Sequence, residues 1–335
     1  MSRRGEEAGS RLPIVISQGE PAGIGPEVAV KAWAALQGAI DGRPLRLIGS
    51  RGLFVETARR NHVDAPGLGD AIVDTGAATV CEPGKPNARN AAAVTGAIEH
   101  GVQACQAGQA AALVTAPIHK AVLTEAGFGF PGHTEFLAAL TDRKQAVMML
   151  ASSDVDPPLR VVPFTIHIPL KDVFAALNAD AIAATGRIVL DGLARDFGCS
   201  SPRLAIAGLN PHAGEEGTMG REELEVIAPA IADLRAEGLS VTGPHSADTL
   251  FHAAARRGYD AVIAMYHDQA LIPLKTLSFD EGVNVTLGLP FVRTSPDHGT
   301  AFDIAAEGRA SAHSFIEALK LASAIAAARS ATAPS

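Results

Sequence analysis

Short, continuously apolar runs alternate along this chain with longer Ala/Leu-rich stretches: residues 14–17 and then 26–36, 45–49 and then 53–60, 111–115 and then 120–126. An apolar run without polar alternation suits a strand covered on both faces, and the stretch after it suits the helix that does the covering. The rhythm predicts an α/β protein with a largely parallel sheet. Local chemistry marks where helices start. Pro26 fits a first turn, Thr134 ahead of Glu135, Phe136 and Leu137 fits an N-cap, and Asp180 stands before residues 181–184. A chain of 335 residues is too long for one ordinary core, and 47% hydrophobic against 19% charged residues is enough to fill two. With no long linker and no internal repeat, the two domains are expected to interleave, the chain crossing between them more than once around a cleft. Residues 154–158 read as a loop between two strands rather than as a boundary.

Composition removes several function classes. The formal net charge is −8, with acidic and basic residues interspersed, so no broad basic face is offered to a phosphate backbone. Only Trp33, Tyr259 and Tyr266 join the phenylalanines, a poor supply for a base-stacking platform. Nucleic acid is not an expected partner. Cys81, Cys105 and Cys199 are odd in number and lack CxxC spacing, which argues for small buried residues in a reducing compartment rather than a disulfide framework or thiolate zinc. Residues 1–11 are charged and polar, and the apolar run behind them is too short for a signal sequence or a membrane span. A soluble, cytoplasmic protein with no membrane partner is expected. The Ala/Ser-rich tail from residue 323 is expected to fray over residues 330–335.

A histidine stands directly behind three of the apolar runs. They are Val161-Val162-Pro163-Phe164-Thr165-Ile166-His167, the run 204–209 followed by Asn210-Pro211-His212, and Ala261-Val262-Ile263-Ala264-Met265-Tyr266-His267. In an open parallel sheet the carboxyl ends of the strands converge on the ligand crevice, so imidazoles far apart in the chain could meet there. Divalent zinc, cobalt or a similar ion accepts neutral imidazole nitrogen, and three protein ligands leave positions open for a substrate. One histidine behind a strand is ordinarily a hydrogen-bonded or solvent-facing residue; three in equivalent positions point to a catalytic metal site. Asn210 ahead of His212, and Asp268 and Gln269 behind His267, are of the kind that orient ligating imidazoles. His119, His245, His252 and His298 compete for the same role.

Three further segments carry candidate chemistry. The loop Ser17-Gln18-Gly19-Glu20-Pro21-Ala22-Gly23-Ile24-Gly25-Pro26-Glu27 is rich in Gly and Pro but meets neither the GxGxxG nor the P-loop pattern, so it is either a tight βα turn or a loop lining the cleft. In Phe130-Pro131-Gly132-His133-Thr134-Glu135-Phe136, a helix start with exposed amides favours an anion such as phosphate, with His133 touching the same ligand; a plain capping loop is the alternative. Between residues 275 and 303, Lys275, Asn284 and Arg293 offer a point cation, an amide and a planar fork, which suit a small doubly anionic substrate unless they merely form surface ion pairs. Gly299, Thr300 and Ala301 beside His298 read as a turn able to hold a polar ligand by its amides.

Taken in order, these motifs resemble the 4-hydroxythreonine-4-phosphate dehydrogenase family of pyridoxal-phosphate synthesis. The likeness is carried by Gln18-Gly19-Glu20-Pro21-Ala22-Gly23-Ile24-Gly25-Pro26-Glu27, Gly132-His133-Thr134-Glu135-Phe136, Gly208-Leu209-Asn210-Pro211-His212-Ala213-Gly214-Glu215, Tyr266-His267-Asp268-Gln269 and residues 293–303. It runs from about residue 13 to 323. The resemblance implies two α/β/α domains of the isocitrate/isopropylmalate dehydrogenase kind, divided as residues 1–125 with 285–330 and residues 126–284. It also implies a homodimer with sites near the subunit interface, and NAD or NADP as oxidant. It assigns a divalent metal (zinc, cobalt or magnesium) to His167, His212 and His267, with the second subunit helping to complete the site. Substrate contacts carry over to His133, Thr134, Lys275, Asn284 and Arg293. The segment with His298, Gly299, Thr300, Ala301 and Asp303 is similar to the nucleotide loop of the wider β-decarboxylating dehydrogenase group.

The implied reaction is oxidation of a secondary alcohol at C3 of a phosphorylated amino acid, giving a β-keto acid that readily loses carbon dioxide. Asp248, Asp268 and Lys275 are the candidates for the residue that takes the hydroxyl proton. Rival readings are a sister dehydrogenase for a phosphorylated four-carbon sugar acid such as 4-phosphothreonate or 4-phosphoerythronate, a three-histidine metal hydrolase without cofactor, and a metal-binding module without catalysis.

Overall fold

Ile14, Val15, Ile16 and Ser17 form the first strand, β1, and every one of them is buried. It lies between two parallel neighbours, β3 (Arg43–Gly49) and β5 (Ala112–Thr115), in the register Ile14 to Leu45 and Ile14 to Ala112. This explains the unbroken hydrophobicity. Removing a side chain such as Ile14 or Ile16 from water contributes about 1.5–3 kcal/mol, and a polar residue at either site would break the layer. The short strand β2 (Ala39–Ile40) pairs antiparallel with the start of β3, and β4 (Ile72–Asp74) pairs parallel with its end.

The structure, a computed structural model, describes residues 11–130, 132–143 and 145–332. The chain forms two units, one made of residues up to Gly129 with His298–Ser323, the other of Phe130–Asp297 with the residues from Ala324 on. The chain therefore leaves the first unit, returns to it and leaves again. Residues 285–297, expected in the first domain, belong to the second. The reason is strand pairing: β11 (Val283–Leu287) runs antiparallel to β6 (Val147–Ser152) from Val283 opposite Ala151 to Leu287 opposite Val147, and β12 (Val292–Pro296) folds back on β11.

The second unit has the strand order β12-β11-β6-β7-β10-β8-β9, with β7 at Leu159–Pro163, β8 at Arg203–Ala207, β9 at Ser240–His245 and β10 at Ala261–Ala264. From β7 to β9 the pairs are parallel, while β6, β11 and β12 are antiparallel, so this sheet is more mixed than expected. Residues 154–158 are the connection between the antiparallel pair β6 and β7, as expected. Leu159 and Val161 of β7, Val262 and Ala264 of β10 and Leu274 share one core cluster.

Helix boundaries show where local cues suffice. The helix Gly25–Ala35 starts with Pro26 in its first turn. Two predicted caps are corrected. The helix Ala179–Phe197 is capped by Asn178, whose Oδ1 accepts the Ala181 amide at 3.0 Å, and Asp180 lies inside its first turn. The helix His133–Leu140 has Gly132 at its N-cap position, which leaves Thr134 inside the first turn. The last helix, His313–Thr332, continues through residues 330–332, where fraying was expected; residues 333–335 and the expected polar N-terminus, residues 1–10, lie outside the described residues. The cysteines also differ from expectation: Cys105 is buried, Cys199 half-buried and Cys81 exposed.

Candidate active site

His167 and His267 are brought together by backbone pairing that continues past the ends of β7 and β10. Phe164 donates its amide to the Ala264 carbonyl at 2.8 Å, and the Thr165 hydroxyl donates to the Met265 carbonyl at 2.8 Å. The two chains leave the sheet side by side, and the imidazole centroids stand 6.2 Å apart. Both rings line a recess of about 310 Å³ with Thr165, Tyr266 and Asp268. His267 opens the helix His267–Leu277, and its Nδ1 lies 2.8 Å from Asp268 Oδ1. A carboxylate only accepts, so the neutral ring carries its proton on Nδ1 and leaves the Nε2 lone pair for a ligand.

His212 lies in a second recess of about 380 Å³, lined also by Asn210, Asp248, Tyr266 and Gln269. Gln269 ties the two strand ends together: its Oε1 accepts the Met265 amide at 2.6 Å, and its Nε2 donates to the Gly208 carbonyl at 2.9 Å. The backbone that carries His212 is unusual. His212, Ala213, Gly214, Glu215 and Glu216 have φ of 52°, 52°, 76°, 42° and 55°, a left-handed turn in which non-glycine residues cost about 1–2 kcal/mol each. Among the described residues no three His, Cys, Asp or Glu side chains gather to hold a metal. The expected set is thus only partly assembled within one chain. Two imidazoles lining one recess are the donor type a divalent ion accepts, and their 6.2 Å separation is wider than the roughly 5 Å that tetrahedral ligation at about 2.0–2.1 Å gives.

The expected substrate residues all belong to the second unit. Lys275, in the last turn of the helix His267–Leu277, has its Nζ 2.5 Å from Asp297 Oδ2 and 3.2 Å from the Asp297 carbonyl. Asn284 is on β11, and its buried Oδ1 has no hydrogen-bond partner among the described residues. Arg293, on β12, is buried, with Nη1 donating to Thr286 Oγ1 at 2.9 Å, and desolvation pushes its guanidinium down to about 9. It is not the surface ion pair that sequence alone left open. His133 and Thr134 occupy the first turn of the helix His133–Leu140. Asp248, the other candidate base beside Asp268 and Lys275, accepts a hydrogen bond from Ser246 at 2.6 Å.

In the first unit, the nucleotide-loop candidate packs on the loop behind β1. The Ile24 amide donates to the Thr300 carbonyl at 2.9 Å, and a Cβ on Gly23 would stand 2.8 Å from that same oxygen. Only glycine allows this approach. Phe302 meets the His119 ring edge-on at 4.9 Å, and Ala301 takes a positive φ of 42°. The two segments, far apart in sequence, thus form one structure with His298, Gly299 and Asp303 in it.

Four residues with structural claims on these sites were not among the candidate site residues read from the sequence, although Gln269 was singled out there as an orienting group. Glu20 is 1% exposed, and burial raises its carboxyl above the ordinary range against the opposing pull of the Ala22 amide and His119. Asp297 holds Lys275, Gln269 ties β8 to β10, and Glu223 lies under the His212 loop. No local pattern marks Asp297 or Glu223, because their partners are set by strand and helix packing.

In fold the chain is similar to a β-decarboxylating dehydrogenase from Thermococcus kodakarensis, with a TM-score of 0.50 at 12% identity over 92% of this chain and 82% of that one, a likeness of fold alone. The chain belongs to the family of the pyridoxal phosphate biosynthetic protein PdxA, whose profile matches residues 45–322. It is 54% identical to the 4-hydroxythreonine-4-phosphate dehydrogenase of Roseobacter denitrificans over 94% of this chain and 97% of the relative, and 51% identical to that of Paracoccus denitrificans over 95% and 98%. The crystal structure of the Klebsiella pneumoniae 4-hydroxythreonine-4-phosphate dehydrogenase matches with a TM-score of 0.81 at 37% identity, covering 94% of this chain and 99% of that one. No single helix among the described residues is long and apolar enough to cross a membrane.

Proposed function

We propose that this chain oxidises 4-phosphooxy-L-threonine (4-hydroxythreonine 4-phosphate) at C3 with NAD or NADP. Decarboxylation then leaves 3-amino-2-oxopropyl phosphate, a step in pyridoxal 5'-phosphate (vitamin B6) synthesis. Within this family, the observation that carries the reading is the 6.2 Å approach of the His167 and His267 rings in one recess.

His167, His212 and His267 would hold the metal, with Asp268 fixing the His267 tautomer. When bound, a divalent ion such as zinc, cobalt or magnesium lowers the pKa of the substrate hydroxyl. Lys275, Arg293, Asn284, His133 and Thr134 bind the charged ends of the substrate and fix its orientation by preorganised electrostatics. Asp248, Asp268 and Lys275 are the candidate acceptors for the hydroxyl proton: Asp268 is engaged by His267, Lys275 by Asp297, and Asp248, beside His212, by Ser246. His298, Gly299, Thr300, Ala301 and Asp303 would hold the nicotinamide nucleotide.

The enzyme acts as a cytoplasmic homodimer. Supporting the dimer, Ile168 and Leu170 line the recess of His167 and His267 yet are 40% and 62% exposed, apolar surface beside an incomplete donor set. Reduction of NAD or NADP, followed by its near-ultraviolet absorbance with 4-phosphooxy-L-threonine before and after metal chelation, tests the reading. Faster turnover of 4-phosphothreonate or 4-phosphoerythronate would move the enzyme to the sister activity; no reduction with any of these would reject a dehydrogenase.

A further inference from the structure

The carboxylate of Glu223 is 2% exposed, and its hydrogen bonds come from the segment that leads into His212. Oε1 accepts the amides of Leu209 and Asn210 at 2.8 and 2.7 Å, and Oε2 accepts the Asn210 side-chain amide at 2.9 Å. The neighbouring Glu222 takes the same Asn210 amide at 2.7 Å. A Cβ on Gly214, inside the left-handed turn, would lie 2.5 Å from Glu223 Oε2, so the turn closes directly over the carboxylate. Glu223 itself starts a π-helical turn, Glu223–Ile227, a local departure from α-helical geometry that recurs at functional sites.

A turn of consecutive positive φ values persists only where its surroundings over-determine it. Glu223 supplies that constraint: two amides and a side-chain amide are fixed on one buried anion just before the turn begins. We propose that Glu223 is a positioning residue that sets the conformation of the His212 loop and thereby the direction from which His212 offers its imidazole. The inference rests on the reading of His212 as a metal ligand.

The test is titration of the full-length protein with Co²⁺ alone, followed by its visible absorption, for the wild type, H212A, E223Q and G214A, with thermal unfolding of each. Glu223→Gln keeps the size of the side chain but puts an amide against amide donors; Gly214→Ala drives a methyl toward the carboxylate. Both are expected to weaken Co²⁺ binding about 10–100-fold at temperatures where they remain folded, as loss of an orienting partner does. Wild-type Co²⁺ affinity in E223Q, or in G214A should E223Q fail to fold, overturns the inference even if the melting temperature falls, provided H212A has lost its metal. Wild-type affinity in H212A instead overturns the metal reading and the inference with it.

Discussion

Lys275 Nζ stands 2.5 Å from Asp297 Oδ2, so the cation proposed to meet the substrate is held by the residue that immediately precedes His298 in the chain. The pair is partly buried, at 28% and 19% side-chain exposure, and Lys275 also donates to the Asp297 carbonyl. A charge-assisted hydrogen bond contributes about 1.5–3 kcal/mol. Lys275→Ala should therefore raise KM for the phosphorylated substrate roughly 10–100-fold while leaving the NAD(P) dissociation constant unchanged. Asp297→Asn should shift KM the same way by less. Equal losses for substrate and nucleotide would remove Lys275 from the substrate site.

Arg293 should show itself through pH. Burial lowers its guanidinium to about 9, so the cation is lost as pH rises through that value and KM for an anionic substrate should climb there. The stability effect has the opposite sign: the unfolded chain still holds its proton above that pH, more protons are bound unfolded than folded, and folding gains as pH rises. Arg293→Lys, which replaces a fork by a point charge, should raise KM at least tenfold at neutral pH, on the order of 1.4 kcal/mol. Steady-state kinetics across neutral to alkaline pH decide both points.

Asp196 anchors the end of the chain. It is buried between Arg195 and Arg329, whose Nε atoms lie 2.8 and 2.7 Å from Oδ1. Burial opposes ionisation, but the hydrogen bonds from Arg195 and Arg329 outweigh it and lower the carboxyl below its ordinary range. The stabilisation is therefore present above the unfolded-state value and disappears as pH falls through the folded one. Asp196→Asn should destabilise by about 3–5 kcal/mol at neutral pH, with the gap to wild type closing in acid. Denaturant unfolding at both pH values measures it; a constant gap would contradict the ion-pair account.

Asp268→Asn should leave His267 in place but free its tautomer, lowering Co²⁺ affinity about 10–100-fold. His267→Ala should lose more. If the Asn variant keeps wild-type metal binding but stops proton transfer, Asp268 is the base and not the orienting residue.

Leu170 is 62% exposed, so Leu170→Asp should cost an isolated subunit little. In a dimer that buries this residue it should split the assembly and cut turnover sharply. Sedimentation under assay conditions reads the result, and an active wild-type monomer would refute the homodimer outright.

The sequence by itself determined the α/β class, the position of β1, the start of the helix Gly25–Ala35 and the interleaving of two domains. Each of these depends on neighbours in the chain: continuous apolar runs, a proline in a first turn, the absence of a linker. His167 and His267 are two of the three histidines legible behind apolar runs; the parallel pairing of β7 and β10 puts these two in one recess and leaves His212 in another. Tertiary structure decided the rest. The hairpin β11 to β12 joined the second unit through its register with β6, Asn178 displaced Asp180 as a cap through its own geometry, and Arg293 became a buried cation. Glu223 and Asp297 acquired their roles only when helices and strands carried them to His212 and Lys275, since a hydrogen bond or ion pair depends on distance in space and leaves no period in the sequence.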